Sequence, residues 1–377
     1  MNAILASFAV LSLALLLWQW LAARKFPLHQ RVREHPFPPA VTLLKPLKGC
    51  DETSEACLRS WLCQDYTGRI QVLFGVDSAD DPVVKVVNEV LHEFAHHDAR
   101  LVICPQNLGA NAKVSKLVEL EVLARHEILV ISDADVQVPP DFLFNAVALL
   151  RAPEVGLVNC FYALSEPTTV AMRLEAIAIN ADFWSQVLQA QSLKPIDFAL
   201  GAVMITRRKQ LEQIGGFKEL VDCLADDYQL GHRLAQHGHR IAISPVVVEC
   251  RSTPLHWKAV WKHQLRWART IRVCQPVPYF FSILSNATLW PLLWLVVKPE
   301  PASLAFFLSG VLLRVWTAVD LQQRLTRSRA HFPWWWLTPI KDLFQAVMWL
   351  LAFVGNHVEW RGQRMRLRRD GTLMRDA

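Results

Sequence analysis

A long uncharged apolar run near the N-terminus constrains the fold most, because such a segment needs either a bilayer or a large protein core. Residues 3–23 read AILASFAVLSLALLLWQWLAA, and Arg24, Lys25, Arg31 and Arg33 follow. A run of this length can cross a bilayer as one helix. The basic residues after it predict that the chain then enters the cytoplasm. Because the run lacks a basic leader and a small-residue cleavage site, we expect an uncleaved anchor.

A second apolar region begins near residue 280. FFSILSNATLWPLLWLVV (280–297) and ASLAFFLSGVLLRVWTAV (302–319) are separated by KPEP, and this pattern predicts a membrane-spanning hairpin. A last apolar segment, residues 342–355, is short for a span, and the tryptophans at 334–336 before it are typical of a membrane interface. We expect an interfacial or re-entrant helix there, and a further span is the alternative.

Several arginines lie in or after this region. Arg314, inside the apolar run, could reach the membrane surface, pair with Asp320 or face a lipid cavity. The C-terminal stretch RGQRMRLRRDG contains five more: Arg361, Arg364, Arg366, Arg368 and Arg369. Such a basic tail is either solvated and disordered or attracted to an anionic membrane surface. No nucleic-acid-binding motif accompanies the charge, so we expect no nucleic-acid partner.

The composition agrees with a membrane-bound protein that has a cytosol-facing domain. The chain is 52% hydrophobic, with a net charge of +6 and a mean hydropathy of +0.19. Its eight cysteines are scattered, without a C-x-x-C pair or a Cys/His cluster at zinc spacing. We therefore expect reduced thiols, as in the cytosol.

The middle of the chain has the alternating pattern of an α/β domain. Short β-branched runs predict strands at 41–47, 70–77, 99–105 and 126–135. Helical periods lie between and after them, near 52–63, 82–95, 111–125 and 139–151. This alternation predicts a mostly parallel, Rossmann-like sheet. We divide the chain into an anchor (1–24), a cytosolic domain (25–279), membrane helices (280–360) and a basic tail (361–377).

Acidic residues stand where two of these strands end. Asp77 closes one strand, and Asp133 and Asp135 form a D-x-D at the end of another. Ligands of open α/β sheets bind outside the carboxyl ends of the strands. Paired carboxylates there suit Mg²⁺ or Mn²⁺, which in turn bridges phosphate oxygens. A D-x-D alone is also compatible with a polar turn or a helix cap.

Two later segments add charged candidates. Asp226 and Asp227 open a predicted helix, where acids commonly serve only as partners of the helix dipole. In WKHQLRWARTIR, Arg266 and Arg269 share one helix face that could meet phosphate, although an amphipathic helix beside the membrane has the same pattern.

Together these motifs resemble those of inverting GT-A glycosyltransferases that act on lipids or make polysaccharides. That group has the ordered pattern D, D-x-D, D, (Q/R)-x-x-R-W, and this chain offers Asp77, Asp133-x-Asp135, Asp227 and Arg266-Trp267. LLKPLKGCDE (43–52), GANAKVSKL (109–117) and VEWRGQRMRL (358–367) are similar to segments of the ceramide glucosyltransferase family. LADDY and LRWARTIR are also similar to bacterial hopanoid-associated glycosyltransferases. His263 departs from the pattern, with Gln264 one place later.

The resemblance implies a role for each site residue. Asp227 would be the catalytic base, Asp133 and Asp135 would hold Mg²⁺ or Mn²⁺, and Asp77 and Lys113 would bind the nucleotide. In the helix that carries the (Q/R)-x-x-R-W pattern, a second set of roles is implied. Arg266 would contact the diphosphate, and Trp267 would form the floor of the acceptor site. His263 would contact the donor phosphate or the departing nucleotide less strongly than Gln or Arg, or Gln264 would take its place.

The resemblance also implies the reaction: a UDP-sugar, UDP-glucose or UDP-N-acetylglucosamine, would donate a hexose to a lipid hydroxyl. Ceramide is the first expectation for the acceptor, and a hopanoid polyol is the alternative. The expected location is the bacterial inner membrane, with the catalytic domain in the cytoplasm. The rivals are an inactive membrane scaffold, a processive polysaccharide synthase and a nucleotide-binding regulator. AIAINADFWSQVL (176–188) is either a lipid entrance or a core helix, and the oligomeric state stays open.

Overall fold

The structure, a computed structural model, describes residues 2–32, 38–360, 363–368 and 370–375. Arg33, Arg361 and Arg369, three basic residues singled out in the sequence, lie outside the described residues. The helices are α1 (Asn2–Lys25), α2 (Ser54–Leu62), α3 (Val83–Glu93), α4 (Ala112–Leu123), α5 (Phe142–Ala148), α6 (Val170–Ile177), α7 (Trp184–Gln191), α8 (Arg208–Gln213), α9 (Asp226–Gln236), α10 (Trp257–Cys274), α11 (Pro276–Phe281), α12 (Leu289–Val297), α13 (Pro301–Thr326) and α14 (Leu337–Ala352). The strands are β1 (Val41–Pro46), β2 (Ile70–Val76), β3 (Asp98–Ile103), β4 (Ile128–Ser132), β5 (Val136–Gln137), β6 (Val155–Leu164), β7 (Val203–Arg207), β8 (Arg240–Cys250), β9 (His357–Trp360), β10 (Gln363–Leu367) and β11 (Leu373–Arg375).

An eight-stranded mixed sheet forms the centre of the α/β domain. Its strand order is β3-β2-β1-β4-β7-β6-β8-β5. Strands β3, β2, β1 and β4 pair in parallel, β6 pairs in parallel with β8, and β7 runs antiparallel between β4 and β6. The α/β fold class predicted from the alternating pattern is confirmed, and the four predicted strands and helices coincide with β1–β4 and α2–α5.

Side-chain alternation along the strands builds one core on each face of the sheet. In β2, Val72 and Phe74 point into one apolar cluster and Leu73 into the other, and all three are buried. The strands are apolar on both faces because helices cover both sides, as in other parallel sheets. Polar groups can therefore be accommodated only at the strand ends, which is where the acidic residues lie.

The helix that runs from α6 to α7 is a core element. A π-helical segment, Ala178–Phe183, joins α6 to α7 without a break. Ile177, Ala181, Trp184 and Leu188 are buried in the same cluster as the sheet. Of the two interpretations of residues 176–188, the core helix is therefore correct, and the segment does not present an apolar face to lipid.

Two helices, α1 and α13, are long and apolar enough to cross a membrane, and the bent pair formed by Pro276–Ser285 and Leu289–Val297 could make a third span. The pair bends by 55°, so the first arm of the predicted hairpin is broken. Helix α14 also lies in this region, and α1 packs against α12 and α13. Hydrogen bonds from Gln19 to Ser185 and from Trp18 to Ser192 attach α1 to the α/β domain.

Arg314 is buried in an ion cluster between the apolar helices and the α/β domain. Its guanidinium donates to Asp182 of the π-helical segment at 2.9 Å and to Asp342 of α14 at 2.8 Å. Lys341 pairs with the same two carboxylates. The suggested partner Asp320 instead pairs with Arg24 at 3.0 Å. Two positive and two negative charges thus compensate each other out of contact with water.

The segment predicted as a basic tail contains regular structure. Strands β9, β10 and β11 form a three-stranded antiparallel sheet. Leu373 donates its backbone N–H to the backbone oxygen of Asp222, and Cys223 forms an isolated antiparallel β-bridge with Thr372. These contacts hold the sheet beside the start of α9. The C-terminal strands therefore lie next to the loop that carries Asp226 and Asp227.

Candidate active site

Strand direction gathers the predicted site residues at one edge of the sheet. Asp77 follows β2 and Asp133 follows β4, and both strands run parallel to β1. The antiparallel β7 begins at this same edge, with Val203 opposite Ser132. The backbone N–H of Asp133 donates to Ala202 at 3.1 Å. The segment before β7 therefore meets the acidic end of β4.

Lys113 connects two of the acidic motifs. Its ammonium lies 2.7 Å from a carboxylate oxygen of Asp133 and 2.9 Å from one of Asp226. Lys113 is buried, and burial alone would lower its pKa. The two carboxylates outweigh that effect and raise the pKa of Lys113. Lys113 is thus held charged, and it neutralises Asp226 and part of the D-x-D.

Asn111 fixes the position of Lys113. Its side-chain oxygen caps α4 by accepting from the backbone of Lys113 and Val114, as helix N-caps do. Its amide nitrogen donates to the backbone of Cys223 at 2.8 Å and to Asp226 at 3.3 Å. One buried side chain therefore ties the start of α4 to the start of α9.

Asp135 faces the cleft and has no ion-pair partner among the described residues. Its carboxyl group is solvent-accessible, although protein atoms surround it deeply. Burial and the neighbouring charge of Asp133 raise the pKa of Asp135, while Lys45 and His263 favour its charged form. Lys45 itself is buried and donates to the backbone oxygen of Asp133 at 2.5 Å, and burial lowers its pKa to about 8.

The charge balance of this edge fits a divalent cation bound together with a phosphate ligand. Four aspartates, at 133, 135, 226 and 227, face two lysines, at 45 and 113, so negative charge is in excess. In the part of the chain that the structure describes, no three acidic, histidine or cysteine side chains form a complete metal site. Mg²⁺ commonly binds through one or two carboxylates plus substrate phosphates. Asp135 is the accessible carboxylate for such a cation, with Asp133 beside it.

Asp227 differs from its neighbour Asp226. It makes no ion pair within the described residues, whereas Asp226 is bound by Lys113. Burial, and secondly the charge of Asp226, raise the pKa of Asp227 to about 7. The carboxylate lies against Gly201, where an added Cβ would be 2.7 Å from a carboxylate oxygen. Asp227 is therefore a closely confined carboxylate that can exchange a proton near neutral pH.

Asp77 lies at the same edge with two lysines. Lys116, one turn after Lys113 on α4, forms an ion pair with Asp77, and Lys48 lies 3.3 Å from its other oxygen. Burial raises the pKa of Asp77, but the hydrogen bonds and charges of these lysines lower it overall. Asp77 therefore stays ionised, in a strongly polar recess.

Helix α10 contributes the residues of the (Q/R)-x-x-R-W pattern. The ring of His263 contacts the buried carboxylate of Glu175 at 2.6 Å, and Gln264 donates to the same oxygen at 2.9 Å. Glu175 thus fixes both His263, which departs from the family pattern, and the neighbouring Gln264. The ring of His263 packs edge-on to Trp267, at 5.1 Å between centroids, and Arg266 is half-buried beside them.

A cluster of aromatic side chains lies between α10 and the end of β6. Trp267 contacts Tyr162 at 6.4 Å and Phe183 at 5.6 Å between ring centroids. Burial raises the pKa of Tyr162, and the charges of Asp227, Asp133 and Asp135 raise it further. The charges of all three carboxylates therefore act on the Tyr162 hydroxyl group.

Sequence reasoning missed Lys45, Glu175, Tyr162 and Gly201. Lys45 could have been identified from the sequence, because a lysine in the apolar strand LLKPL must have a polar partner when it is buried. Nothing local marks the other three, which reach the site through packing between distant segments. All the predicted site residues lie at this edge or on α10, and their roles stay predictions.

Comparison with known proteins places these features in context. The model of a family described as glycosyl transferase family 21 matches residues 4–373. Ceramide glucosyltransferase 3 of Caenorhabditis elegans is 24% identical over 225 residues, which are 59% of this chain and 49% of the relative. Beta-monoglucosyldiacylglycerol synthase of a Nostoc species is 27% identical over 296 residues, which are 77% of this chain and 60% of the relative. The chain spans about half the length, or less, of the first curated relatives it matches.

A solved structure has a similar fold. The mannosyltransferase PcManGT of Pyrobaculum calidifontis, in complex with GDP-Man and Mn²⁺, aligns with a TM-score of 0.54 at 20% identity. The alignment covers 93% of this chain and 98% of that chain. This likeness concerns the fold alone.

Proposed function

The chain belongs to glycosyl transferase family 21, and on that basis we propose that it moves a hexose from a UDP-sugar to the hydroxyl group of a membrane lipid, with inversion. The GT-A-type fold expected from the sequence motifs is confirmed. Glycosyltransferase activity, also expected from those motifs, is part of the proposal. The donor, the acceptor and the role of each residue belong to the proposal.

One observation supports the mechanism most strongly: of two adjacent aspartates, only Asp227 has no ion-pair partner among the described residues. Inversion by one displacement needs a base that removes the proton of the acceptor hydroxyl. A base works best when its pKa is near the operating pH, and the pKa of Asp227 is raised to about 7. Asp226 is bound by Lys113, so it is not available to act as a base.

The remaining residues serve the donor. Asp77 binds the nucleoside through its base or ribose, and Lys113 lines the diphosphate pocket while holding Asp133 in place. Arg266 contacts the diphosphate, and His263, fixed by Glu175, supports it. A bound Mg²⁺ or Mn²⁺ would offset charge that develops on the departing nucleoside diphosphate. Asp135 and Asp133 are the residues that would hold this cation.

The acceptor is a lipid, because the apolar helices attach directly to the catalytic domain. Hydrogen bonds from α1 to the segment 182–192 keep the site close to the membrane surface. Trp267 forms the floor of the acceptor site. We propose ceramide as the acceptor and UDP-glucose as the donor, since several relatives are named ceramide glucosyltransferases. A hopanoid polyol with UDP-N-acetylglucosamine is the second candidate, supported by the LADDY and LRWARTIR segments.

Product analysis tests the substrates. The purified full-length protein is incubated with each lipid, each UDP-sugar and Mn²⁺, and the products are identified by mass spectrometry. Glucosylceramide is the expected product. A glycosylated hopanoid would select the second candidate, a sugar polymer would identify a processive synthase, and bound but unconsumed UDP-sugar would identify a regulator or an inactive scaffold.

The replacement Asp227→Asn tests the base. We expect transfer to fall by about 10²- to 10⁴-fold with donor binding retained, because only the proton acceptor is lost. Asp222→Asn is the matched control: Asp222 is exposed on the same loop and accepts a backbone hydrogen bond that asparagine can also accept. Normal turnover of Asp227→Asn would refute the assignment.

A further inference from the structure

A cavity of about 630 Å³ lies outside the candidate active site, between the end of α10, the end of α14 and the C-terminal sheet. Arg272, His357 and Arg366 supply its polar lining, and Val273, Pro276 and Phe353 supply its apolar lining. Its volume is in the range of small-molecule sites. None of its described lining residues is acidic, and none belongs to the proposed catalytic set. The cavity therefore has a lining of basic and apolar side chains.

Its arginines are held in place by neutral groups, and no described carboxylate forms an ion pair with them. Arg272 donates to Asn356, and its guanidinium lies 5.8 Å from the ring centroid of Phe353. Behind it, Arg269 donates to the backbone oxygen of Val354 at 2.7 Å. Within the described residues no carboxylate pairs with either arginine, and the Nε atoms of both are buried without an acceptor. Burial, and then the charge of Arg272, lower the pKa of Arg269, which agrees with uncompensated positive charge.

The third basic side chain comes from the C-terminal sheet. Arg366 on β10 is the cross-strand partner of His357 on β9, so both residues point to the same face. Both line the cavity. The sheet thus adds the positive charge of Arg366 to that of Arg272 in the lining.

An exposed apolar surface borders the cavity. Helix α11, which begins at the lining residue Pro276, exposes Val277, Phe280 and Phe281. The ring of Phe280 contacts that of the lining residue Phe353 at 6.3 Å between centroids. Val354, at the end of α14, is also exposed. These residues stand beside the helices that could cross the membrane, so acyl chains could lie against them while a headgroup enters the cavity.

From this juxtaposition we propose that the cavity binds the phosphate group of an anionic glycerophospholipid, separately from the sugar acceptor. Arginine guanidinium groups bind phosphate through charge-assisted hydrogen bonds, which are among the stronger ones. The same chemistry would accept free phosphate. The apolar border favours the lipid, because a soluble anion gains nothing from it.

Lipid binding to the full-length protein in detergent tests the proposal, with phosphatidylglycerol and phosphatidylcholine as probes and native mass spectrometry as the readout. A basic residue near an anionic lipid contributes about 1 kcal/mol, or roughly fivefold in affinity. We therefore expect Arg366→Gln to weaken phosphatidylglycerol binding about fivefold and Arg272→Gln with Arg366→Gln about 25-fold. Binding of phosphatidylcholine should change little.

Controls keep the result specific. Arg327→Gln with Arg329→Gln removes two exposed charges from another loop near the apolar helices and should leave lipid binding unchanged. Arg366 is itself exposed, so its single replacement should fold even if loss of the Arg272 contact with Asn356 impairs the double variant. Equal affinity for the two lipids or unchanged binding by Arg366→Gln would overturn the proposal. Displacement of the lipid by inorganic phosphate at about 10 mM, roughly ten-thousandfold above a micromolar Kd, would also overturn it, because the apolar border would then contribute nothing to binding. The readout does not depend on sugar transfer.

Discussion

The replacement Gly201→Ala should impair catalysis without removing any catalytic atom. Gly201 lies just before β7, and a Cβ at this position would be 2.7 Å from Oδ2 of Asp227. Ordinary van der Waals contact begins at 3.4 Å. Either the carboxylate or the backbone of residue 201 must therefore move by about 0.7 Å, the difference between these two distances. The backbone is less free to move, because the next residue, Ala202, accepts a hydrogen bond from Asp133.

The size of the effect follows from this displacement. A misplacement of about 1 Å can cost roughly 10²-fold in rate, so a shift of this size should lower kcat by about 10- to 50-fold. Donor binding should change little, because the three atoms nearest the added Cβ all belong to Asp227, the proposed base. The fold should also persist, since the conflict involves one side-chain oxygen next to the cleft.

Steady-state kinetics with the confirmed donor and acceptor, together with a donor titration, provide the measurement. Gly310→Ala is the matched control, because a Cβ there would find its nearest neighbour at 3.5 Å and needs no adjustment. A wild-type kcat for Gly201→Ala would show that the position of Asp227 is not critical. Equal losses in both variants would point to a general effect on the fold.

Three other predictions concern ionisation and buried charge. Activity should fall as the pH drops through about 7, because Asp227 must lose its proton to act as a base; the pH profile of kcat measures this. The contribution of Asp227 to the free energy of unfolding should have the opposite pH dependence: it is largest below the unfolded pKa of 3.8 and is lost as the pH rises through about 7. The pH profile of thermal unfolding measures this contribution. Lys113→Met should lower the free energy of unfolding by about 3–5 kcal/mol, because Asp133 and Asp226 lose their shared cation. Adding Asp226→Asn should restore part of the lost stability, and the absence of any recovery in thermal unfolding would contradict the pairing. Arg314→Met should destabilise the protein by a similar amount, whereas Arg314→Lys should retain more stability in the same assay, because it keeps the charge between Asp182 and Asp342.

Local sequence patterns were sufficient to predict the first strands and helices of the sheet and the carboxylates at its edge. The strands that end at Asp77 and Asp133 are short apolar runs between helical periods, and such runs are visible without knowledge of the fold. The long apolar runs likewise predicted α1 and α13. The break between α11 and α12 and the strands after residue 356 were not predicted, because each depends on contacts with other segments.

By itself, the sequence determined which chemistry could occur: carboxylates at strand ends, a basic helix after them, and apolar segments on both sides of the domain. Only the tertiary structure decided how those charges are shared. Lys113 pairs with Asp226, whereas Asp227 has no ion-pair partner in the part of the chain that the structure describes. Asp182 and Asp342 pair with Arg314. The physical reason is that apolar periodicity is a local property of the chain, whereas an ion pair depends on the distance between residues that are far apart in sequence.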